Sequence, residues 1–262
     1  MRLGFSPLTA MMLDTEQAFR LAADLELDFV ELSHDLHEID PRLQDPKAVR
    51  ELMRATGVGT TVHLSFTDLN LASLIPAARR TAVDRTLAGL HYAHDVDASC
   101  GVLHTGKHYQ RHPMVDPLVG SALRTSLDEL VGSSVPIALE NLALTGEDYV
   151  RTPDELRDLT QLHGWRNCLD FGHAHVQGRR EGFDAIDAYL RILGDGIAHL
   201  HLHGNHGERD DHLATGEGTL DYAPYVDYLA DFRGTICLEI ATGAAGVRAS
   251  VSHLRGLVGT TG

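Results

Sequence analysis

The stretch Ala198–His212 reads AHLHLHGNHGERDDH and begins as a strand in which histidine and leucine alternate. Because successive side chains of a strand point to opposite faces, His199, His201 and His203 are expected on one face and the leucines on the other. The strand then gives way to a loop rich in Gly, Asn and Asp that ends in DDH. Imidazoles and carboxylates at this density are poor core material but suitable ligands for a divalent metal. The stretch therefore predicts part of a metal site, and the rest of the chain must supply the other ligands.

Length and composition limit the fold class. The chain has 262 residues, of which 43% are hydrophobic, so it can bury a core as one α/β barrel or as two smaller domains. No apolar run approaches the roughly 18 residues of a membrane span, and MRLGFSPLTA lacks the apolar segment of a signal peptide. We therefore expect a cytoplasmic protein without a membrane partner. Cys100, Cys168 and Cys237 lie in apolar runs and are expected to be buried thiols, not disulfides.

The charge balance disfavours nucleic acid as a partner. The formal net charge is −15, and 20 of the 22 basic residues are Arg. A field of that sign repels nucleic acid and membrane surfaces, although a local basic rim or a bound metal reverses it within a cleft. The charge therefore lowers the weight of a DNA-binding role without excluding it.

Short apolar runs alternate with longer segments of helical period along the whole chain. The predicted strands are Arg2–Ser6, Asp28–Ser33, Gly59–Leu64, Cys100–His104, Val135–Asn141, Asn167–Phe171, Ala198–His203 and Gly234–Ile240. The predicted helices are Thr15–Leu25, Asp45–Thr56, Pro76–Val96, Val115–Leu130, Thr152–His163, Gly182–Leu193, Tyr222–Asp231 and Ala244–Val258.

Eight strand–helix units of roughly thirty residues each predict an α/β protein with one closed parallel (β/α)8 barrel, a TIM barrel, over residues 1–262. Near-continuous apolar strands are what a parallel sheet covered on both faces requires. An open doubly wound sheet is the alternative architecture. The first strand is not followed by a GxGxxG phosphate fingerprint, which counts against a dinucleotide-binding fold.

Almost every predicted strand ends in a side chain that can bind a metal. A parallel barrel gathers the carboxyl ends of its strands at one face, where the active sites of this fold lie. The loop after the seventh strand can fold back over the same face. The candidate ligands are His63, His104, Glu140, Asp170, His173, His201, Asp210, His212 and Glu239.

Each of these residues has another interpretation when taken alone. A strand-end histidine such as His63 is more often structural, Glu140 or Glu239 could pair with an arginine, and Asp170 could cap a helix. Together they are harder to explain, because four buried carboxylates without a cation would repel one another. We therefore predict a divalent metal, Zn or Mn with Mg as a further candidate, in one to three copies.

Further residues near these ends are candidates for substrate contacts. Glu31 lies near the carboxyl end of the second predicted strand and could bind a hydroxyl or pair with an arginine. His108 and His175 follow ligands closely and could contact substrate or support a ligand. The complete set of predicted substrate-binding residues is Glu31, Lys107, His108, Asn141, His175, His203 and Arg209.

The sequence resembles the xylose isomerase-like TIM-barrel superfamily (AP endonuclease family 2), which contains sugar and sugar-phosphate isomerases and epimerases and the endonuclease IV-type AP endonucleases. The resemblance covers residues 60–240. Its elements are VHLSFTDLNLAS around His63, VLHTGKH around His104, ALEN around Glu140, CLDFGHAH around Asp170 and His173, HLHLHGN around His201, RDDHLATGEGTLDY around Asp210 and His212, and CLEI around Glu239.

The resemblance implies two different ligand sets. Endonuclease IV relatives hold three zinc ions with nine ligands, and each has a counterpart among the nine candidate ligands given above. The single-metal epimerase branch uses two Glu, one Asp and one His, and the counterparts here are Glu140, Asp170, His201 and Glu239. The ligand set as a whole therefore resembles that of the multi-metal group.

Other features resemble the isomerase branch. Asn141 follows Glu140, as in the LEN motif of that branch, and HLHGN…DDHLATGEGTLDY is similar to its HLHDN…DEHLPLGEGTID element. Gly204 departs from that element, which carries Asp there, so the role of that acid is lost or moved. The loop SHDLHEIDP lacks the basic and aromatic residues that endonuclease IV relatives present to DNA.

Two classes of reaction follow from this resemblance. The first is an isomerase or epimerase of a small sugar, polyol or sugar phosphate, with Glu140 and Glu239 as acid and base, His173 and Lys107 positioning hydroxyls, and Arg209 contacting a phosphate. The second is a multi-zinc phosphoester hydrolase acting on an abasic site in DNA or on a small phosphodiester. A non-catalytic metal- or sugar-binding barrel is a third class. The sequence favours the first, with a small molecule as partner, and a homo-oligomer is compatible with it.

Overall fold

The structure, a computed structural model, describes residues 2–12, 14–109, 111–142 and 144–259. Eight parallel strands pair in sequence order, and the last pairs with the first to close a barrel. They are β1 (Arg2–Phe5), β2 (Phe29–Ser33), β3 (Gly59–His63), β4 (Gly101–Leu103), β5 (Ile137–Glu140), β6 (Arg166–Asp170), β7 (Ile197–Leu202) and β8 (Thr235–Leu238). The predicted (β/α)8 barrel is confirmed; that one domain spans all of residues 1–262 stays a prediction.

Ten α-helices surround the strands in the described part of the chain. They are α1 (Thr15–Asp24), α2 (His34–Ile39), α3 (Pro46–Thr56), α4 (Pro76–Asp95), α5 (Asp116–Asp128), α6 (Pro153–His163), α7 (Phe171–Glu181), α8 (Ala185–Leu193), α9 (Val226–Asp231) and α10 (Gly243–Gly259). The sequence did not predict α2 or α7. Both begin directly after a strand, so they lie at the end of the barrel where the candidate ligands collect.

Local sequence explains where several helices begin and end. The Thr152 hydroxyl accepts a hydrogen bond from the Glu155 backbone N–H, and the Glu155 carboxylate accepts one from the Thr152 backbone N–H, which forms a capping box in front of α6. Asp45 caps α3 with Pro46 in its first turn, and Gly57 ends that helix at a φ of 74°. Asp170 caps α7 by accepting from the His173 backbone N–H. The helix-capping interpretation of Asp170 is therefore correct, and it is compatible with a second role for the free carboxylate oxygen.

The main apolar core lies between the strands and the surrounding helices. Inside the barrel a separate small cluster joins Val102, Ala138 and Cys168, and above it the inward positions become polar toward the carboxyl ends of the strands. Cys168 and Cys237 are buried and Cys100 is half-buried, and all three are free thiols, as expected. None of the described helices is long and apolar enough to cross a membrane.

Candidate metal centre

The carboxyl ends of β5, β6, β7 and β8 bring three carboxylates around one imidazole. His201 Nδ1 lies 3.1 Å from Glu140 Oε1, 3.5 Å from Glu239 Oε2 and 3.8 Å from Asp170 Oδ2. His201, Glu140 and Asp170 are at most 1% exposed and Glu239 is 6% exposed. We call these four residues the His201 centre. It has the donor set that a divalent cation requires.

A second pair of imidazoles reaches the same glutamate from β3 and β4. His104 Nε2 lies 2.8 Å from Glu140 Oε2, and His63 Nε2 lies 3.5 Å from that oxygen. The ligand atoms of these three residues all lie within 4.8 Å of one another. Glu140 therefore offers one oxygen to the His201 centre and the other to His63 and His104.

A third group collects around Asp210, in the loop that follows β7. Asp210 Oδ2 lies 2.9 Å from His212 Nε2 and 3.3 Å from His173 Nε2, and Asp210 Oδ1 lies 3.1 Å from His203 Nε2. Asp170 lies between this group and the His201 centre, because its Oδ1 is 3.4 Å from His203 Nε2. The structure thus brings together all nine predicted ligands and adds His203.

Backbone carbonyl groups fix which nitrogen most of these histidines present. The Nδ1 atoms of His63, His173 and His212 lie 3.0, 2.9 and 3.0 Å from the carbonyl oxygens of Leu64, Asn141 and Glu239 respectively. A carbonyl oxygen only accepts, so Nδ1 must carry the proton and Nε2 is free to bind a metal. His201 is turned the other way, because Glu31 Oε1 lies 3.0 Å from its Nε2 and leaves Nδ1 for the carboxylates.

Comparison with known proteins places the chain in a family. Residues 19–257 match the family described as xylose isomerase-like TIM barrel. The chain belongs to this family. It is 31% identical over 231 residues to an uncharacterized protein of Methanocaldococcus jannaschii, with 85% of each chain covered. Among solved structures it is similar to a D-tagatose 3-epimerase-like protein (TM-score 0.84, 22% identity, 100% and 99% of the two chains) and to the IolI protein with a bound zinc atom (TM-score 0.79, 14% identity, 99% of each).

Two buried polar residues of this xylose isomerase-like barrel hold the ligands in place. Glu31 is fully buried, accepts from Thr61 Oγ1 at 2.8 Å and lies 3.1 Å from His199 Nε2 in addition to its contact with His201. Asn141 directly follows β5 and joins it to the end of β6. Its Oδ1 accepts from Asp170 N–H at 2.6 Å and its Nδ2 donates to Asp170 O at 3.0 Å. These contacts favour a positioning role for Glu31 and Asn141 over the predicted contact with substrate.

The other predicted substrate-binding residues lie around or outside the open end of the barrel where the carboxyl ends of the strands and the candidate ligands meet, which we call the mouth. Lys107 borders a cavity of about 120 Å³ beside His104. His108 is buried with its Nε2 3.0 Å from Asp116 Oδ1, and His175 Nδ1 lies 2.7 Å from Asn205 Oδ1. Arg209 is exposed and pairs with Asp211 at 2.7 Å. These substrate contacts stay predictions; of the four residues, Lys107 is the one that lines a cavity together with a predicted ligand.

The pKa shifts show how strongly the mouth attracts positive charge. Burial alone would raise the pKa of Glu140, but His201 and His104 together hold it well below its usual range. Burial opposes the charged form of His63 and His203, yet Glu140 raises the pKa of His63 to about 9, and Asp170 with Asp210 raises that of His203 to about 10. The protons on His63 and His203 thus occupy places that a cation would take in exchange, whereas burial lowers the pKa of His104.

Three of the predicted substrate-binding residues, His203, Glu31 and Asn141, make contacts that the sequence analysis did not predict, although one of these contacts had a signal in the sequence. Strand alternation puts His203 on the same face as His201, so its place beside Asp170 could have been predicted from the sequence. The contacts of Glu31 and Asn141 could not have been predicted from the sequence, because they depend on the register of neighbouring strands. Glu31 lies opposite Thr61, and Glu140, next to Asn141, lies opposite Cys168.

Proposed function

We propose that this chain is a divalent-metal-dependent isomerase or epimerase of a small sugar, polyol or sugar phosphate, with Glu140 and Glu239 as acid and base. The observation that carries the proposal is the His201 centre, in which both glutamates approach His201 Nδ1 within 3.5 Å. They come from β5 and β8, which β6 and β7 separate in the barrel. The two carboxylates therefore approach a substrate bound there from different sides.

The proposed reaction is a proton transfer next to a carbonyl group. A divalent cation in the His201 centre would polarise the substrate carbonyl and make the neighbouring C–H more acidic. One glutamate takes that proton, and the C–H electron pair becomes part of an enediolate. The other glutamate returns a proton. In an epimerisation it goes to the opposite face of the same carbon; in an isomerisation it goes to the former carbonyl carbon, and the hydroxyl proton of the neighbouring carbon passes to the former carbonyl oxygen. Atoms and electrons balance without a further reactant, because substrate and product are isomers.

The comparisons support this proposal at the level of reaction class. The similar solved structures include a D-tagatose 3-epimerase-like protein, and a zinc atom is bound in the IolI protein. A small-molecule substrate also agrees with the net charge of −15, which repels nucleic acid. Zinc and manganese are both compatible with a set of two glutamates, one aspartate and one histidine.

The additional ligands favour a second candidate, hydrolysis of a phosphoester by two or three zinc ions. His63 and His104 share Glu140 with the His201 centre, and two-metal hydrolases use such bridged sites to activate water and neutralise the phosphate oxygens. Proton transfer next to a carbonyl does not need these extra imidazoles. The two candidates therefore differ in whether a C–H bond or a P–O bond is broken.

The test is an assay of free ketoses, ketose phosphates and phosphodiesters in D₂O with Zn²⁺, Mn²⁺ or Mg²⁺. We expect deuterium at the carbon next to the carbonyl group, and a loss of about 10²- to 10⁴-fold in that exchange for Glu239→Gln. Glu217→Gln, at an exposed glutamate, is the matched control. Full exchange activity in Glu239→Gln contradicts the acid–base assignment, and cleavage of a phosphodiester with no exchange on any sugar favours the hydrolase.

A further inference from the structure

The three histidines that alternate along β7 share one face of the strand but have different surroundings. His201 and His203 face the carboxylates of the mouth. The His203 ring fits there only because Gly172 has no side chain, since a Cβ on that glycine would lie 2.0 Å from Cε1 of His203. His199 lies farthest from the mouth and is fully buried. Neither of the two candidate reactions gives His199 a role.

Both ring nitrogens of His199 have a polar neighbour. Nδ1 lies 2.6 Å from the Thr235 hydroxyl oxygen, and Nε2 lies 3.1 Å from Glu31 Oε2. Burial lowers the pKa of His199, so the ring is neutral and carries one proton. A carboxylate only accepts, whereas a hydroxyl can donate, so Nε2 holds the proton and Nδ1 accepts from Thr235. His199 therefore directs its single N–H toward Glu31.

The carboxylate of Glu31 lies between two imidazoles. Its Oε2 faces His199, and its Oε1 lies 3.0 Å from His201 Nε2. Neither Nε2 is aligned with its oxygen as a hydrogen bond requires, so the orientation of the carboxylate plane decides how well each ring is held. The Thr61 hydroxyl donates to Oε2 at 2.8 Å and shares that oxygen with His199. A change on the Oε2 side therefore reaches His201.

Strand register brings these groups together inside the barrel. His199 pairs with Thr235 between β7 and β8, and Glu31 pairs with Thr61 between β2 and β3. Because β1 and β8 separate β2 from β7, the contact between Glu31 and His199 crosses the barrel interior. All four side chains are at most 5% exposed, and a buried carboxylate is costly unless polar groups surround it. They form a polar layer beneath the His201 centre.

We infer that His199 is a positioning residue that sets the metal affinity of the His201 centre through Glu31. His199 fixes the Oε2 side of the Glu31 carboxylate, and Glu31 in turn holds His201 with Nδ1 toward the three carboxylates. Carboxylates that hold a metal-binding histidine change metal affinity by about 10- to 100-fold, and His199 acts one contact further away. The inference rests on the proposed function only in requiring that His201 bind a divalent cation.

Two substitutions at His199 separate its two nitrogens. The amide nitrogen of His199→Gln takes the place of Nε2 and can still donate to Glu31, whereas the amide of His199→Asn reaches only the place of Nδ1. We expect the Kd for Zn²⁺, measured by competition with a chelator, to rise about three- to tenfold in His199→Asn and by less than about twofold in His199→Gln. His34→Asn, at a buried histidine outside the mouth, is the control and should keep the wild-type Kd. Equal Kd values in the two His199 variants overturn the inference.

A double-mutant cycle distinguishes positioning from a general loss of packing. If His199 acts through Glu31, His199→Asn should raise the Kd no further in a Glu31→Gln background. Rises that multiply in the double variant show that the two residues act independently, and they overturn the inference while leaving the proposed function standing. A wild-type chain that binds no cation at His201 overturns the proposed function and the inference together.

Two measurements on the wild type do not depend on how the variants fold. The ¹⁵N chemical shifts of the metal-free protein should report the proton of His199 on Nε2, and a proton on Nδ1 contradicts the inference. His199 also belongs to a group of potential ligands with Glu31, His201 and Cys237. A zinc-loaded crystal structure should show a cation at His201 Nδ1 and none about 2.0–2.1 Å from His199 Nε2. A cation bound to His199 makes it a ligand and overturns the positioning role.

Discussion

Two buried histidines of this barrel, His34 and His203, have pKa shifts of opposite sign. In the contact between α2 and α4, His34 lies beside His37 and Tyr92, and its Nδ1 is 2.7 Å from the Ser65 hydroxyl. Burial, helped by His37 and Arg85, lowers the pKa of His34 to about 4. In the mouth, carboxylates outweigh the same burial and raise the pKa of His203 to about 10. Burial alone therefore does not distinguish His203 from His34; the carboxylates that face the His203 ring do.

The chain has 17 histidines, and this comparison distinguishes a histidine that only packs in the core from histidines that are placed to bind a cation. The nearest carboxylate oxygen to His34 Nδ1 is 3.8 Å away, on Glu38, which already pairs with Arg85. Each mouth histidine instead directs a nitrogen toward a carboxylate that has no arginine partner in the described residues. Removing a mouth carboxylate should therefore affect metal binding, whereas changing His34 should affect only stability.

The largest expected effect is that of Glu140→Gln. Glu140 faces His104, His63 and His201, so the substitution removes the negative charge that two groups share. We expect loss of at least one bound cation per chain and a fall in turnover of about 10²- to 10⁴-fold. Elemental analysis and the deuterium-exchange assay measure the two effects. Glu147→Gln, at an exposed glutamate, is the control, and metal content equal to wild type in Glu140→Gln would contradict the mouth as the cation site.

A smaller effect is expected for Glu31→Gln, which leaves every ligand in place. Glu31 orients His201 through its Nε2, and such carboxylate–histidine contacts typically change metal affinity by about 10- to 100-fold. We expect a weaker Kd in competition with a chelator, and an altered pH profile of activity because the basicity of His201 falls. Glu31→Asp, which keeps the charge, should recover part of the affinity. Unchanged affinity in Glu31→Gln shows that the contact is structural only.

Asn141→Ala tests how Asp170 is held without touching any ligand side chain. The substitution removes two buried hydrogen bonds to the Asp170 backbone, and each unsatisfied buried group costs about 1–3 kcal/mol. We expect the free energy of unfolding in urea to fall by about 2–4 kcal/mol in metal-free protein. Thr160→Ala, which removes the side-chain hydroxyl of a buried helical residue on α6, is the control and should cost less. A loss equal to that of the control contradicts the role given to Asn141.

The smallest effect is the pH dependence that His34 contributes. The folded protein keeps His34 neutral down to about pH 4, whereas the unfolded chain protonates it below about 6.5, so lower pH favours unfolding. Between pH 7.5 and 5.5 this protonation lowers the free energy of unfolding of the wild type by about 1 kcal/mol. His34→Asn should lack this contribution to the decrease. Urea unfolding at both pH values measures it, with the exposed His91→Asn as control. An equal loss of unfolding free energy between the two pH values in His34→Asn and wild type contradicts this contribution of His34.

Much of the fold could be predicted because its signals are local. The apolar runs of β5 and β7 and the caps at Asp45 and Thr152 depend on neighbouring residues alone. Helix α7 was missed because FGHAHVQGRRE contains two glycines and no strong apolar period; it forms because Asp170 caps it and Phe171 packs into the core. Convergence of the strand ends predicted which side chains gather at this end of the barrel. The nitrogen that His173 and His212 present depends instead on carbonyl groups distant in sequence, and the orientation of His201 depends on Glu31.

The contact between Gly172 and His203 has a consequence for how such chains diverge. A side chain at position 172 would occupy the place of the His203 ring, so position 172 must stay glycine for as long as the histidine is present. A related barrel that inherits the histidine must inherit the glycine, and one that gains a side chain at 172 must first give up the histidine. His203 is therefore expected to occur only together with Gly172, whereas the glycine can remain after the histidine is lost.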